Sequence, residues 1–128
     1  MTMKTVVHTD KAPAAIGPYS QAIAAGGFLF ISGQIPVDPA TGEVVAGGVA
    51  EQARQVLDNL SAILASQRLE LCHVVKTGVF LQDMSDFQTV NAVYGEYFRE
   101  QPPARACVQV AKLPKAVLVE IEAIAVLK

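Results

Sequence analysis

Three charged residues sit where a strand would normally be apolar. Arg105 opens the run Pro102-Pro103-Ala104-Arg105-Ala106-Cys107-Val108-Gln109-Val110, and Glu120 and Glu122 interrupt the most apolar run, Val117-Leu118-Val119-Glu120-Ile121-Glu122. Successive strand residues point to opposite faces. Arg105, Cys107 and Gln109 therefore share one face, and Ala104, Ala106, Val108 and Val110 the other. In the second run Leu118, Glu120, Glu122, Ile124 and Val126 lie opposite Val117, Val119, Ile121, Ala123 and Ala125. A cation and two carboxylates on covered strands are expensive unless paired or used. Two readings stay open at this point. Either an Arg–Glu pair joins neighbouring strands, which local grounds alone favour, or the charges are used in a function.

Other reactive side chains are sparse. Cys72 and Cys107 form neither a disulfide framework nor a metal spacing. No histidine is placed to activate Cys107 as a nucleophile. His8 and His73 read as surface or structural residues. On local grounds Tyr19, after Gly17-Pro18, reads as a packed aromatic with a hydrogen-bonded hydroxyl. Ser32-Gly33 reads as a strand end, and Asn91 as a satisfied amide on a buried helical stripe.

The elements that must position these residues follow from periodicity. Lys4 to His8, Tyr19 to Ala24 and Phe28 to Ser32 are strands, the last two joined by a tight Gly26-Gly27 hairpin. Pro36 to Gly42 is a loop. Ala53, Val56, Leu57, Leu60, Ile63 and Leu64 recur at helical spacing over Val49 to Gln67. His73 to Leu81 is a β-branched strand. Ser85, with Gln88 three residues on, is expected to cap a second helix. Its buried stripe is Phe87, Val90, Asn91, Tyr94, Tyr97 and Phe98. Two strands close the chain. Strand, strand, strand, helix, strand, helix, strand, strand predicts an α+β domain over residues 1–128, a mixed sheet with two helices packed on one face. The other face then needs cover, most simply from another subunit.

Composition bounds the function. The chain has 128 residues, 52% hydrophobic and 17% charged, with a formal net charge of −2 and no Trp. So apolar a chain of this length suits one core with further apolar surface hidden in an oligomer. The charge balance, without a Lys/Arg cluster, counts against a nucleic-acid partner. Met1 to Lys11 lacks the apolar segment of a secretory signal. No apolar run approaches the ~20 residues of a membrane span. The expectation is a soluble, cytoplasmic protein with free thiols and no membrane association.

Beyond these readings, Pro103-Ala104-Arg105, then Leu113-Pro114, then Val119-Glu120-Ile121-Glu122-Ala123-Ile124-Ala125 resemble, in letters and spacing, the C-terminal signature of the RidA (YjgF) family. Ala15-Ile16-Gly17-Pro18-Tyr19-Ser20-Gln21-Ala22 resembles its N-terminal motif. Ser32-Gly33-Gln34-Ile35-Pro36, Gln52-Ala53-Arg54-Gln55, Val75-Lys76-Thr77, Phe87 and Val90-Asn91 also fit. The resemblance implies a chorismate-mutase-like fold and a homotrimer with sites in clefts between subunits. It implies hydrolysis of 2-imino acids and their enamine tautomers (2-iminobutanoate, 2-iminopropanoate) to 2-keto acids and ammonia, with no cofactor and no metal. Removing such enamines protects other enzymes from damage.

Residue by residue, the resemblance assigns the substrate-carboxylate arginine to Arg105, whose planar fork a lysine could not reproduce. It assigns the ligand-side aromatic to Tyr19 and the approaching loop to Ser32 and Gly33. The pocket asparagine is Asn91, the neighbouring cysteine Cys107 and the water-positioning glutamate Glu120. Ala106 stands where members often carry Ser or Thr, and the stretch from Phe98 to Pro102 is shorter than in some members. Two other functions compete: a non-catalytic module binding a 2-keto acid or similar small carboxylate, and an endoribonuclease.

Overall fold

The computed structural model describes residues 3–128; the first two residues of the N-terminal stretch read above lie outside it. Eight strands and two helices run β1 (Thr5–Val7), β2 (Ala22–Ala25), β3 (Phe28–Gln34), β4 (Val37–Asp38), β5 (Glu43–Val44), α1 (Val49–Ser66), β6 (Val74–Leu81), α2 (Phe87–Tyr97), β7 (Ala104–Gln109) and β8 (Val119–Val126). Six strands make one sheet in the order β1-β2-β3-β8-β6-β7. The last strand in sequence is thus central. All its pairings are antiparallel except β6 with β7, which are parallel. Parallel neighbours need a long crossover, and α2 lies in it. The result is the mixed α+β domain expected, with both helices on one face.

The helical stripe read from spacing is the core of α1. Ala53, Val56, Leu57, Leu60, Ile63 and Leu64 are completely buried. They pack with Leu29 and Ile31 of β3, Val79 of β6, and Val119, Ile121, Ala123 and Ala125 of β8. Each buried Leu or Ile contributes roughly 1.5–3 kcal/mol, so this layer fixes which face of β8 turns inward. Gly26 and Gly27 have φ of 59° and 86°, the two left-handed residues that a tight hairpin demands.

Local readings differ in three places. β2 begins at Ala22, leaving Tyr19 in a loop. The segment read as a loop, Pro36 to Gly42, contains β4, which pairs with β5 just beyond the segment's end. Ser85 does not cap α2. Asp83 accepts the Ser85 N–H at 2.8 Å and caps a short 3-10 turn over Met84–Asp86 that precedes the helix. A carboxylate two residues upstream satisfies that donor better than the capping box predicted from spacing.

Among the described residues no layer covers the sheet's other face. The register aligns Val6, Ile23, Phe30, Ile124, Lys76 and Ala104 across all six strands. Phe30 is 44% exposed, and Val6, Phe28, Val75 and Val108 are also exposed. Such an apolar surface marks an interaction face. No helix among the described residues is long and apolar enough to cross a membrane.

Candidate functional site

Strand order decides the question left open by the charges. β6 lies between β7 and β8, so Arg105 and Glu120 are not on neighbouring strands. They also point to opposite faces. Arg105 is paired in register with Thr77 on the helix side, whereas Glu120 is opposite Phe80 on the uncovered side. Among the described residues the salt bridges are His8–Asp10 and Arg54–Glu96, both on the surface. The internal Arg–Glu pair is therefore not formed.

Arg105 is held by neutral groups instead. Its Nη1 donates to Asn91 Oδ1 at 2.7 Å. Its guanidinium carbon sits 4.8 Å from the Tyr94 ring centre and 5.6 Å from that of Phe87. Phe87, Asn91 and Tyr94 are spaced i, i+4, i+7 and so share one face of α2. Tyr94 is itself fixed by a 2.7 Å hydrogen bond between its hydroxyl and Thr77 Oγ1. Aromatic faces attract the cation without neutralising it. A half-buried guanidinium thus keeps donors for an outside acceptor. Cys107 is half-buried on the same strand face. Burial pushes its thiol pKa up, against a smaller opposing pull from Arg105. That favours the thiol over the nucleophilic thiolate.

A second group forms around the end of β3. Ser32 and Gly33 occupy the irregularity where the β3–β8 register shifts between Ile31 and Gln34. A Cβ on Gly33 would stand 2.1 Å from Glu120 Oε2. Glycine is needed here because the carboxylate fills the space beside the backbone. Burial, then the charge of Glu122, raise the pKa of Glu120 above its ordinary 4.5. Glu122 is exposed rather than covered, beside Gly78. β7 is likewise an edge strand with Ala104, Ala106 and Val108 exposed, more open than its apolar run predicted.

Ser32 is internally engaged: its Oγ donates to the Ser20 carbonyl at 2.6 Å and its N–H to the Gln21 carbonyl at 3.0 Å. Tyr19 is about half exposed, not packed. Its hydroxyl accepts the Ile16 N–H at 3.4 Å, in a loop turned by Gly17 at φ 138°. Tyr19 and Gly33 line one pocket of about 210 Å³. Among the described residues no His, Cys, Asp or Glu cluster is arranged to hold a metal ion.

The predicted residues thus fall into two half-sites. Asn91, Arg105 and Cys107 lie on the helix side of the β7 edge. Ser32, Gly33 and Glu120 gather at the β3–β8 bulge, with Tyr19 beside Gly33. One chain does not bring the halves together. Sequence reasoning placed Phe87 and Tyr94 on the buried stripe but did not see that they carry the guanidinium. Their i, i+7 spacing around Asn91 was the available signal.

Residues 9–127 match the family described as Endoribonuclease L-PSP. A RutC family protein of Pyrococcus horikoshii is 58% identical over 96% of this chain and 98% of its own. Human 2-iminobutanoate/2-iminopropanoate deaminase is 51% identical over 97% of this chain and 90% of its own. The crystal structure of Escherichia coli TdcF with bound serine superposes with a TM-score of 0.91 at 49% identity, covering 97% of this chain and 99% of that one. With a match of this extent, the chain belongs to the Endoribonuclease L-PSP (RidA) family.

Proposed function

We propose that the chain is an imine deaminase, hydrolysing 2-imino acids and their enamine tautomers to 2-keto acids and ammonia in clefts between copies of itself. The observation that carries this reading is the division of the site: a guanidinium with no carboxylate partner among the described residues on one sheet face, and a half-buried carboxyl of raised pKa on the other. Each half is unfinished alone, and the uncovered apolar face offers the surface on which copies could meet. Kinship with mammalian proteins named 2-iminobutanoate/2-iminopropanoate deaminase supports the chemistry.

In this reading Arg105 takes the substrate carboxylate through paired donors, with Asn91 and the two rings holding the guanidinium plane. The protonated imine carbon is then fixed facing the Glu120 half-site of a neighbouring copy. A water hydrogen-bonded to Glu120 adds to that carbon, and its proton passes to the carboxylate. Glu120 returns that proton to the nitrogen and, as the C–N bond breaks and C=O forms, takes the remaining hydroxyl proton, which it then releases to solvent. Water is consumed, ammonia leaves, and the carbon keeps the oxygen as a ketone. Proximity provides much of the acceleration, and a carboxyl pKa raised toward neutrality suits both proton transfers. Cys107 acts as a wall of the site.

The test follows 2-iminobutanoate generated in situ. Arg105→Ala should lower kcat/KM by at least about 30-fold, the effect of removing one partner of a desolvated charge contact. Mixing Arg105→Ala with Glu120→Ala protomers should restore part of the activity, because each supplies the half the other lacks. Decay of the imine at equal rates with wild type and Arg105→Ala would refute the proposal. A small-carboxylate binding role is favoured by one observation, the serine bound in TdcF. Tight keto-acid binding without turnover would select it.

A further inference from the structure

We propose that the pocket shared by Tyr19 and Gly33 receives the substrate's side chain, and that Lys115 selects side chains ending in a second carboxylate; this rests on the imine-hydrolysis reading above. The pocket holds about 210 Å³. That is several times the space one water-sized group needs. The ethyl side chain of 2-iminobutanoate would leave most of it empty, whereas two or three methylenes and a carboxylate would fill it. Its walls suit methylenes: Ile16, Ile35, Val37 and Pro39. The amide nitrogen of Gln21, which also lines it, is already spent on the Thr9, Ala12 and Pro13 carbonyls. Lys115 is the one charged residue lining the pocket, and among the described residues it forms no ion pair.

The backbone that presents Lys115 is strained. Lys115 and Ala116 both have φ of 54°, in the left-handed region. Glycine would sit there freely, yet the chain carries a lysine. Leu113 and Val117, both buried, anchor the turn on either side. Strain of this kind persists where surrounding packing over-determines it, and it concentrates at ligand clamps. Here it holds a cation at the wall of a pocket otherwise without charge.

The experiment compares 2-iminoglutarate with 2-iminobutanoate, both generated in situ, for wild type, Lys115→Met and Lys115→Arg. Wild type should favour 2-iminoglutarate. Lys115→Met should lower the ratio of the two kcat/KM values by about tenfold, the effect of one charge-assisted contact, and Lys115→Arg should retain most of the ratio. A ratio unchanged in Lys115→Met overturns the assignment even if both imines are hydrolysed. Calorimetric binding of the keto-acid products, 2-oxoglutarate and 2-oxobutanoate, separates this inference from the deaminase reading. A preference for 2-oxoglutarate that Lys115→Met abolishes, in a protein that turns over neither imine, keeps the side-chain assignment and removes the deaminase. Equal binding of the two keto acids by wild type overturns the assignment.

Discussion

Adding one methyl group at Gly33 should cripple the candidate site while leaving the fold nearly intact. An alanine Cβ there would stand 2.1 Å from Glu120 Oε2, 2.9 Å from its Cδ and 3.2 Å from its Cγ. Ordinary contact begins at 3.4 Å, so the carboxylate must retreat by about 1.3 Å. The clash is with the far end of a flexible side chain. Gly33 is also outside the positive-φ region that would forbid a side chain. Destabilisation should therefore stay at or below the roughly 1 kcal/mol end of the overpacking range. Displacing a catalytic group by about 1 Å costs on the order of 100-fold in rate. Gly33→Ala should thus melt within a few degrees of wild type yet hydrolyse 2-iminobutanoate about 100-fold more slowly. Pairing it with Glu120→Asp, one methylene shorter, should recover part of the loss relative to Gly33→Ala alone. Wild-type turnover by a well-folded Gly33→Ala protein would refute the claim that the glycine exists to seat this carboxylate.

Three further outcomes follow from the geometry. Glu120 has a folded-state pKa above its ordinary 4.5, so the folded protein holds its proton where the unfolded chain has lost it. Stability from this group is therefore full below pH 4.5 and lost as pH rises through the raised value; Glu120→Gln should raise the melting temperature at pH 7 but not at pH 4, and activity should fall as wild-type Glu120 protonates. Gln21 is buried and gives its amide nitrogen to three carbonyls while its oxygen accepts the Thr9 N–H at 2.7 Å; Gln21→Ala should destabilise by roughly 2–3 kcal/mol in urea unfolding, the cost of leaving such groups without partners. Phe30→Asp, on the uncovered sheet face, should shift the protein toward monomers in analytical ultracentrifugation and reduce imine turnover with it.

Much of the architecture was legible from period alone. The α1 stripe, the β-branched β6 and the double-glycine hairpin each follow from local rules, and tertiary packing agreed with them. The capping of α2 was misread because Ser85 and Gln88 have the right spacing but Asp83 competes for the same backbone donor. Tyr19 was misread as packed because aromaticity predicts burial on average, and the loop after Gly17 holds its ring outward.

The residue types alone determined that Arg105 and Glu120 are anomalous, because an alternating pattern exposes any charge that breaks it. Alternation reports which residues share a face of one strand. It says nothing of which strand lies next to which, or which face is turned inward. Only tertiary structure placed β6 between β7 and β8, and only the docking of α1 and α2 chose the buried side. Those two choices put the cation and the carboxyl on opposite faces, so that a feature readable as an ion pair became two half-sites. The physical reason is that strand pairing joins segments far apart in the chain, through backbone hydrogen bonds common to all residue types.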